Sequence, residues 1–156
     1  MNTIGFTQVA CHYQINEDSE MRQSTLSEFL VDGVGLSTLF NFEFGRPWFG
    51  RTCFEEGPAS LEKELLALRG LGPAWNQFGT GRFVLYRCHC GCDYCGVISC
   101  HVIRTATTVI WKEIQYEDDW FPNLDPPYEM RIPLFEFDLE QYESALDKFL
   151  TDRPVE

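Results

Sequence analysis

Apolar side chains recur in short blocks along this chain, and their spacing alternates between two residues and three or four. Residues 25–31 read Thr-Leu-Ser-Glu-Phe-Leu-Val, a strand pattern that runs into the turn signal Asp32-Gly33. Leu36, Leu39 and Phe40 then stand at the spacing of one helical turn. The stretch 41–58 is rich in Phe, Gly and Trp without a period, and predicts loop with at most one short strand. Ser60 is placed to cap a helix whose face carries Leu61, Leu65 and Leu68 and which Gly70, Gly72 and Pro73 stop. Residues 83–88, 96–104 and 107–116 are dense in Val, Ile, Thr and aromatics, and their close spacing predicts an antiparallel meander. The link Thr105-Ala106 lacks the Gly or Asn of the favoured tight hairpins. Prolines 122, 126, 127 and 133 predict that residues 120–133 are surface loop. Asp138, with Gln141 at the third helical position, opens a last helix striped by Leu139, Tyr142, Leu146, Phe149 and Leu150. The predicted fold is α+β: a meander around residues 83–116 packed by two or three helices, one of them C-terminal.

Composition agrees with a packed interior. The 156 residues are 44% apolar and 15% aromatic, enough for one domain spanning residues 1–156. Apolar runs such as residues 83–86 fall far short of the ~20 residues of a membrane span. Residues 1–6 lack a basic region followed by an apolar stretch, so the expected location is the cytoplasm.

Charge narrows the choice of partner. The net charge is −12, and residues 111–156 hold 13 acidic and 4 basic side chains. Such a balance disfavours nucleic acid and anionic membranes, and suits a basic protein. Solubility alone would also account for an acidic surface.

Five of the seven cysteines fall within residues 88–100. That crowding, the odd count and the lack of an export signal favour reduced thiols over a disulfide framework. Cys92-x2-Cys95-Gly96 has the spacing of a zinc knuckle, and Cys88 and Cys90 are the nearest candidates for a second pair. Those two are immediate neighbours of the knuckle, whereas structural zinc sites usually take their second pair from a distant segment. Cys53 or His101 is an alternative fourth ligand. The expectation is therefore small buried thiols and no cofactor, with zinc on Cys88, Cys90, Cys92 and Cys95 as the alternative. A thioredoxin-type pair would open a helix after a strand, whereas this one precedes a strand.

No catalytic set assembles from spacing alone. Cys100-His101 are neighbours that a strand points to opposite faces, and Cys11-His12 fail for the same reason if that region is extended. The nucleophile elbow, phosphate loop, dinucleotide loop and zinc-protease patterns are missing from the chain. Glu117, Asp118 and Asp119 read as unburied carboxylates in a polar stretch, unsuited to acid–base catalysis. A non-enzymatic role is expected.

Three segments carry a resemblance: FLVDGVGLSTL at 29–39, YRCHCGCDYCGVISC at 86–100 and FEFDLEQYESAL at 135–146. Together they resemble a group of small bacterial proteins, some met beside polymorphic toxins, in which the cysteine stretch usually lacks a counterpart of Cys92. In format the chain also resembles the immunity proteins of contact-dependent growth inhibition systems, which are small, acidic and cytosolic. The resemblance implies a protein that binds a basic toxin domain, a nuclease by expectation, and occludes its active site. The expected contact residues are Glu117, Asp118, Asp119, Trp120, Asp125 and Tyr128, which combine charge for steering with aromatic anchors. A small zinc module built on residues 88–100 is the alternative function.

Overall fold

The computed structural model describes residues 1–13, 20, 22–40, 51–88, 90–118 and 131–153. Strands β1 (Ile4–Tyr13), β2 (Arg22–Val31) and β3 (Val34–Gly35) form one antiparallel sheet in chain order. Helices α1 (Leu36–Leu39) and α2 (Pro58–Leu68) follow, with a 3-10 turn at Cys53–Glu55 between them. A second antiparallel sheet runs β4 (Phe83–Tyr86), β5 (Val97–Arg104), β6 (Thr108–Glu117) and β7 (Arg131–Asp138), and α3 (Leu139–Asp152) closes the fold. The architecture is α+β, with the expected meander extended by one strand. No helix among the described residues is long and apolar enough to cross a membrane.

Local chemistry explains most boundaries. Asp32 and Gly33 both adopt positive φ, the geometry of a tight hairpin between Val31 and Val34. At the Thr105 turn a hydroxyl does what Gly or Asn does elsewhere: Thr105 Oγ1 accepts from the backbone of Thr107 and Thr108 at 3.3 and 2.9 Å. Asp138 caps α3 by accepting from Gln141 N at 3.0 Å. The Gln141 side chain meanwhile pairs with both backbone groups of Ile4, at 3.0 and 2.7 Å, which ties α3 to β1.

Several expectations change. α2 begins two residues before Ser60, with Gly57 at its cap and Pro58 in its first turn, where a missing N–H costs nothing. Of residues 120–133, expected as loop, 131–133 belong to β7 and 120–130 lie outside the described residues. Pro133 is tolerated since β7 lies at the sheet's edge and faces Glu113, whose φ of 54° interrupts the ladder between the Lys112 and Ile114 pairs. Glu117 is the last residue of β6 and is buried, not a loop carboxylate.

Phe29 of β2 joins the two sheets. Its ring meets Tyr86 and Trp111 edge-on, each with centroids 5.6 Å away. The buried apolar cluster draws on both sheets and on α1, α2 and α3, including Leu36, Leu68, Tyr142 and Leu146. Glu28, also buried, accepts from Phe29 N at 2.8 Å and from the Tyr86 hydroxyl, so a polar pair spans the sheets too.

Glu55 supplies a pH-dependent contact beside this core. Its carboxylate accepts from Ser27 N at 2.8 Å and from Thr52 Oγ1 at 2.7 Å. Burial pushes the Glu55 carboxyl up to about 7, against those two hydrogen bonds and the nearby Arg51 and Arg153. The folded chain thus keeps a proton that the unfolded chain has released, so this stability is full below about pH 4.5 and is lost as pH rises through about 7. Glu64, likewise pushed up by burial, acts in the same direction. Unfolding free energy is expected to fall by roughly 1–3 kcal/mol across that window, and Glu55→Gln should remove most of the slope. Urea melts at a series of pH values check this; an unchanged slope in the variant assigns the effect elsewhere.

Candidate functional site

The turn between β4 and β5 gathers thiols. Cys88 leaves the end of β4, and Gly91 N returns to Cys88 O at 2.9 Å with Gly91 at φ 80°. This reversal brings Cys90 back toward Cys88. A 3-10 turn, Asp93–Cys95, then swings Cys95 into the same place and ends at Gly96, φ 114°. A methyl at Gly96 would overlap the Tyr116 ring, so glycine is required by space as well as by φ.

The sulfurs of Cys88, Cys90 and Cys95 all lie within 4.8 Å of one another, with Cys90 and Cys95 Sγ 3.7 Å apart. Cys88 is buried and the other two are exposed. Burial pushes the Cys88 thiol up. Desolvation, with Cys90 and Cys88 alongside, pushes Cys95 up to about 12. Desolvation also opposes ionisation at Cys90, but the backbone at Cys92 and the thiols of Cys88 and Cys95 hydrogen-bond to it and hold it below the ordinary thiol value. Of the three thiols, Cys90 is thus the one that ionises most readily.

Buried polar contacts brace the turn. Asp93, 1% exposed, accepts from Gln77 N at 2.9 Å and donates its own N–H to Gln77 Oε1 at 2.6 Å. Asp93 Oδ1 also lies 3.1 Å from Arg87 Nε, close enough for ionic attraction although the pair is not aligned as a hydrogen bond. Arg87 in turn pairs with Glu56 at 3.1 Å. Nothing in the spacing of Asp93 marks it as buried; its neighbours Cys92 and Tyr94 are the more conspicuous residues.

Of the expected ligands, Cys92 stays outside the triangle, at the residue preceding the 3-10 turn. Cys53 and Cys100 are buried in the apolar core, away from the site. His101 sits on β5 with Glu113 Oε2 3.9 Å from its Nε2, while the adjacent Cys100 points into the core, so the two form no dyad. His89 lies outside the described residues.

The expected partner-contact residues separate. Glu117 is 4% exposed; it accepts from Ser99 Oγ at 2.5 Å and lies 3.2 Å from Arg82 Nε. It is unavailable as a free surface charge, because Arg82 and Ser99 hold it inside the sheet. Asp118 is half-buried and accepts from the Tyr116 hydroxyl at 3.0 Å. Asp119, Trp120, Asp125 and Tyr128 lie outside the described residues. An isolated Arg before a strand carries no pattern, so the role of Arg82 was not legible in sequence.

A groove of about 470 Å³ runs between β1 and α3, lined by Phe6, Thr7, Gln8, Lys148, Phe149 and Arg153 among others. Its lining includes no paired nucleophile and base. No family model matches the chain, and no curated protein or solved structure shows significant similarity to it.

Proposed function

We propose that the chain is a binding protein of the immunity type, not an enzyme, which acts in the cytoplasm and neutralises a basic toxin domain by covering its active site. The observation that carries this is the charge of residues 111–156, with 13 acidic and 4 basic side chains. Part of that charge has a rigid mount: Asp138, Glu140, Asp147 and Asp152 are exposed on or beside α3, with Lys148 among them. A nuclease must be cationic where it grips phosphates, so its active site is the surface that such a helix complements. Asp118 adds to the charge at the other end of β6, since Asp138 stands opposite Thr108, and Asp119, Trp120, Asp125 and Tyr128 follow it in sequence.

Binding kinetics against the toxin domain encoded beside this chain test the proposal. The association rate of the native protein is expected to fall roughly tenfold from low to high salt. Asp118→Asn with Glu140→Gln and Asp152→Asn should lose much of that dependence while melting near the native temperature. Equal rates and salt slopes would remove this acidic surface as the recognition element. Failure of the native protein to bind would end the immunity proposal itself.

A further inference from the structure

We infer that Cys88, Cys90 and Cys95 hold one zinc ion as three thiolate ligands, with Cys92 excluded and no other described residue in the fourth coordination position. The inference is independent of the toxin partner and rests on the turn alone.

Zinc binds thiolate at about 2.3 Å in tetrahedral geometry, which places two ligating sulfurs about 3.8 Å apart. The Cys90–Cys95 separation of 3.7 Å already meets this, and the remaining pairs lie within 4.8 Å. Movements of less than about 1 Å complete the triangle. The backbone that sets it is constrained at two glycines of positive φ, Gly91 and Gly96, and by the Asp93–Gln77 clasp. The ligand positions therefore belong to the fold and need not be created by the metal.

Charge and access are also suitable. Three thiolates and a divalent zinc leave a net −1, and Arg51 stands close by: its guanidinium is 3.5 Å from where a Gly91 side chain would begin. Arg51 is itself joined to the residue before Cys88, since Arg51 and Arg87 exchange backbone hydrogen bonds at 3.3 and 2.9 Å. Cys88 closes the inner side of the site, while Cys90 and Cys95 are exposed, so an ion can reach it from solvent. An all-sulfur donor set selects zinc over magnesium or calcium, which take oxygen. Bound there, the ion would cross-link the end of β4 to the start of β5.

The test uses the full chain, reduced and stripped of metal, titrated with Zn²⁺ against a chromophoric chelator. One ion per chain is expected, and Co²⁺ in its place should give tetrahedral visible bands with thiolate-to-metal charge transfer. Cys90→Ser and Cys95→Ser change exposed side chains, and each should weaken zinc binding by about 100-fold or more. Cys92→Ser should change it less than about threefold. Circular dichroism of the metal-free variants separates ligand loss from misfolding. Substoichiometric zinc on the native chain overturns the inference, as does a cobalt complex without charge transfer. So does a Cys92→Ser variant as impaired as Cys90→Ser. A Cys90–Cys95 disulfide whose full reduction restores no zinc binding would also overturn it.

Discussion

Trp111→Ala is expected to lower the unfolding free energy by about 3–5 kcal/mol. Trp111 is wholly buried in the middle of β6, with Phe29, Phe137 and Tyr142 ring centroids at 5.6, 5.2 and 6.4 Å. Those three rings come from β2, β7 and α3, so the cavity would open where two sheets and a helix meet. Collapse around it is hindered because each neighbour is fixed by its own element. The indole also donates to Tyr142 Oη at 3.0 Å, and that hydroxyl donates to Leu68 O at 2.8 Å. Trp111→Phe retains much of the ring and loses this N–H, so it should cost less, about 1–2 kcal/mol. Combined with Tyr142→Phe, the two losses should fall short of additive, since either one breaks the same bond. Denaturant melts of the single and double variants measure all of this. A loss below about 0.5 kcal/mol for the alanine variant would mean that Trp111 is not at the centre of the core.

Elements that carry their own pattern were legible in the chain. β5 and β6 are central strands, so β-branched and aromatic side chains dominate them, and the stripe of α3 needs one apolar face. β1 was not anticipated, because Gly5, Thr7 and Gln8 dilute its alternation and its order depends on a full register with β2, Ile4 opposite Val31 to Tyr13 opposite Arg22. Long-range pairing of that kind leaves no local mark. The thiol site was half legible for a related reason. Spacing singles out Cys92-x2-Cys95 with Cys88 and Cys90 beside it, but which sulfurs meet depends on how the backbone turns at Gly91 and Gly96, and those turns gather Cys88, Cys90 and Cys95 and leave Cys92 out. Counting residues between cysteines measures contour length, whereas coordination depends on direction.

Glu117 shows the same gap between pattern and environment, and its substitution carries the second large effect. By sequence it begins an acidic run and should behave like Asp118. In the fold it ends β6 on the inner side of an ion pair whose partners are themselves buried, with Arg82 5% and Ser99 0% exposed. Arg82 also donates to Ser99 O at 2.9 Å and to the Glu113 carbonyl, so its guanidinium cannot swing out to water without breaking backbone contacts. Glu117→Gln therefore leaves a cation buried without its main counter-charge, a change that typically costs 3–5 kcal/mol. Glu113 Oε2, 3.8 Å from Arg82 NH1, offsets part of this, which places the expected loss near 3 kcal/mol. Asp118→Asn, by contrast, should shift stability by no more than about 0.5 kcal/mol. A paired replacement, Arg82→Met with Glu117→Leu, should recover most of the loss, because it removes both charges together and not one alone. Denaturant midpoints for the three variants decide the matter. If Glu117→Gln tracks Asp118→Asn, the carboxylate is in solvent and returns to the set of charges a basic partner can meet. If it behaves as the ion pair requires, a binding experiment that neutralises the whole acidic run would confuse unfolding with lost recognition, and Glu117 must be kept intact while its exposed neighbours are changed.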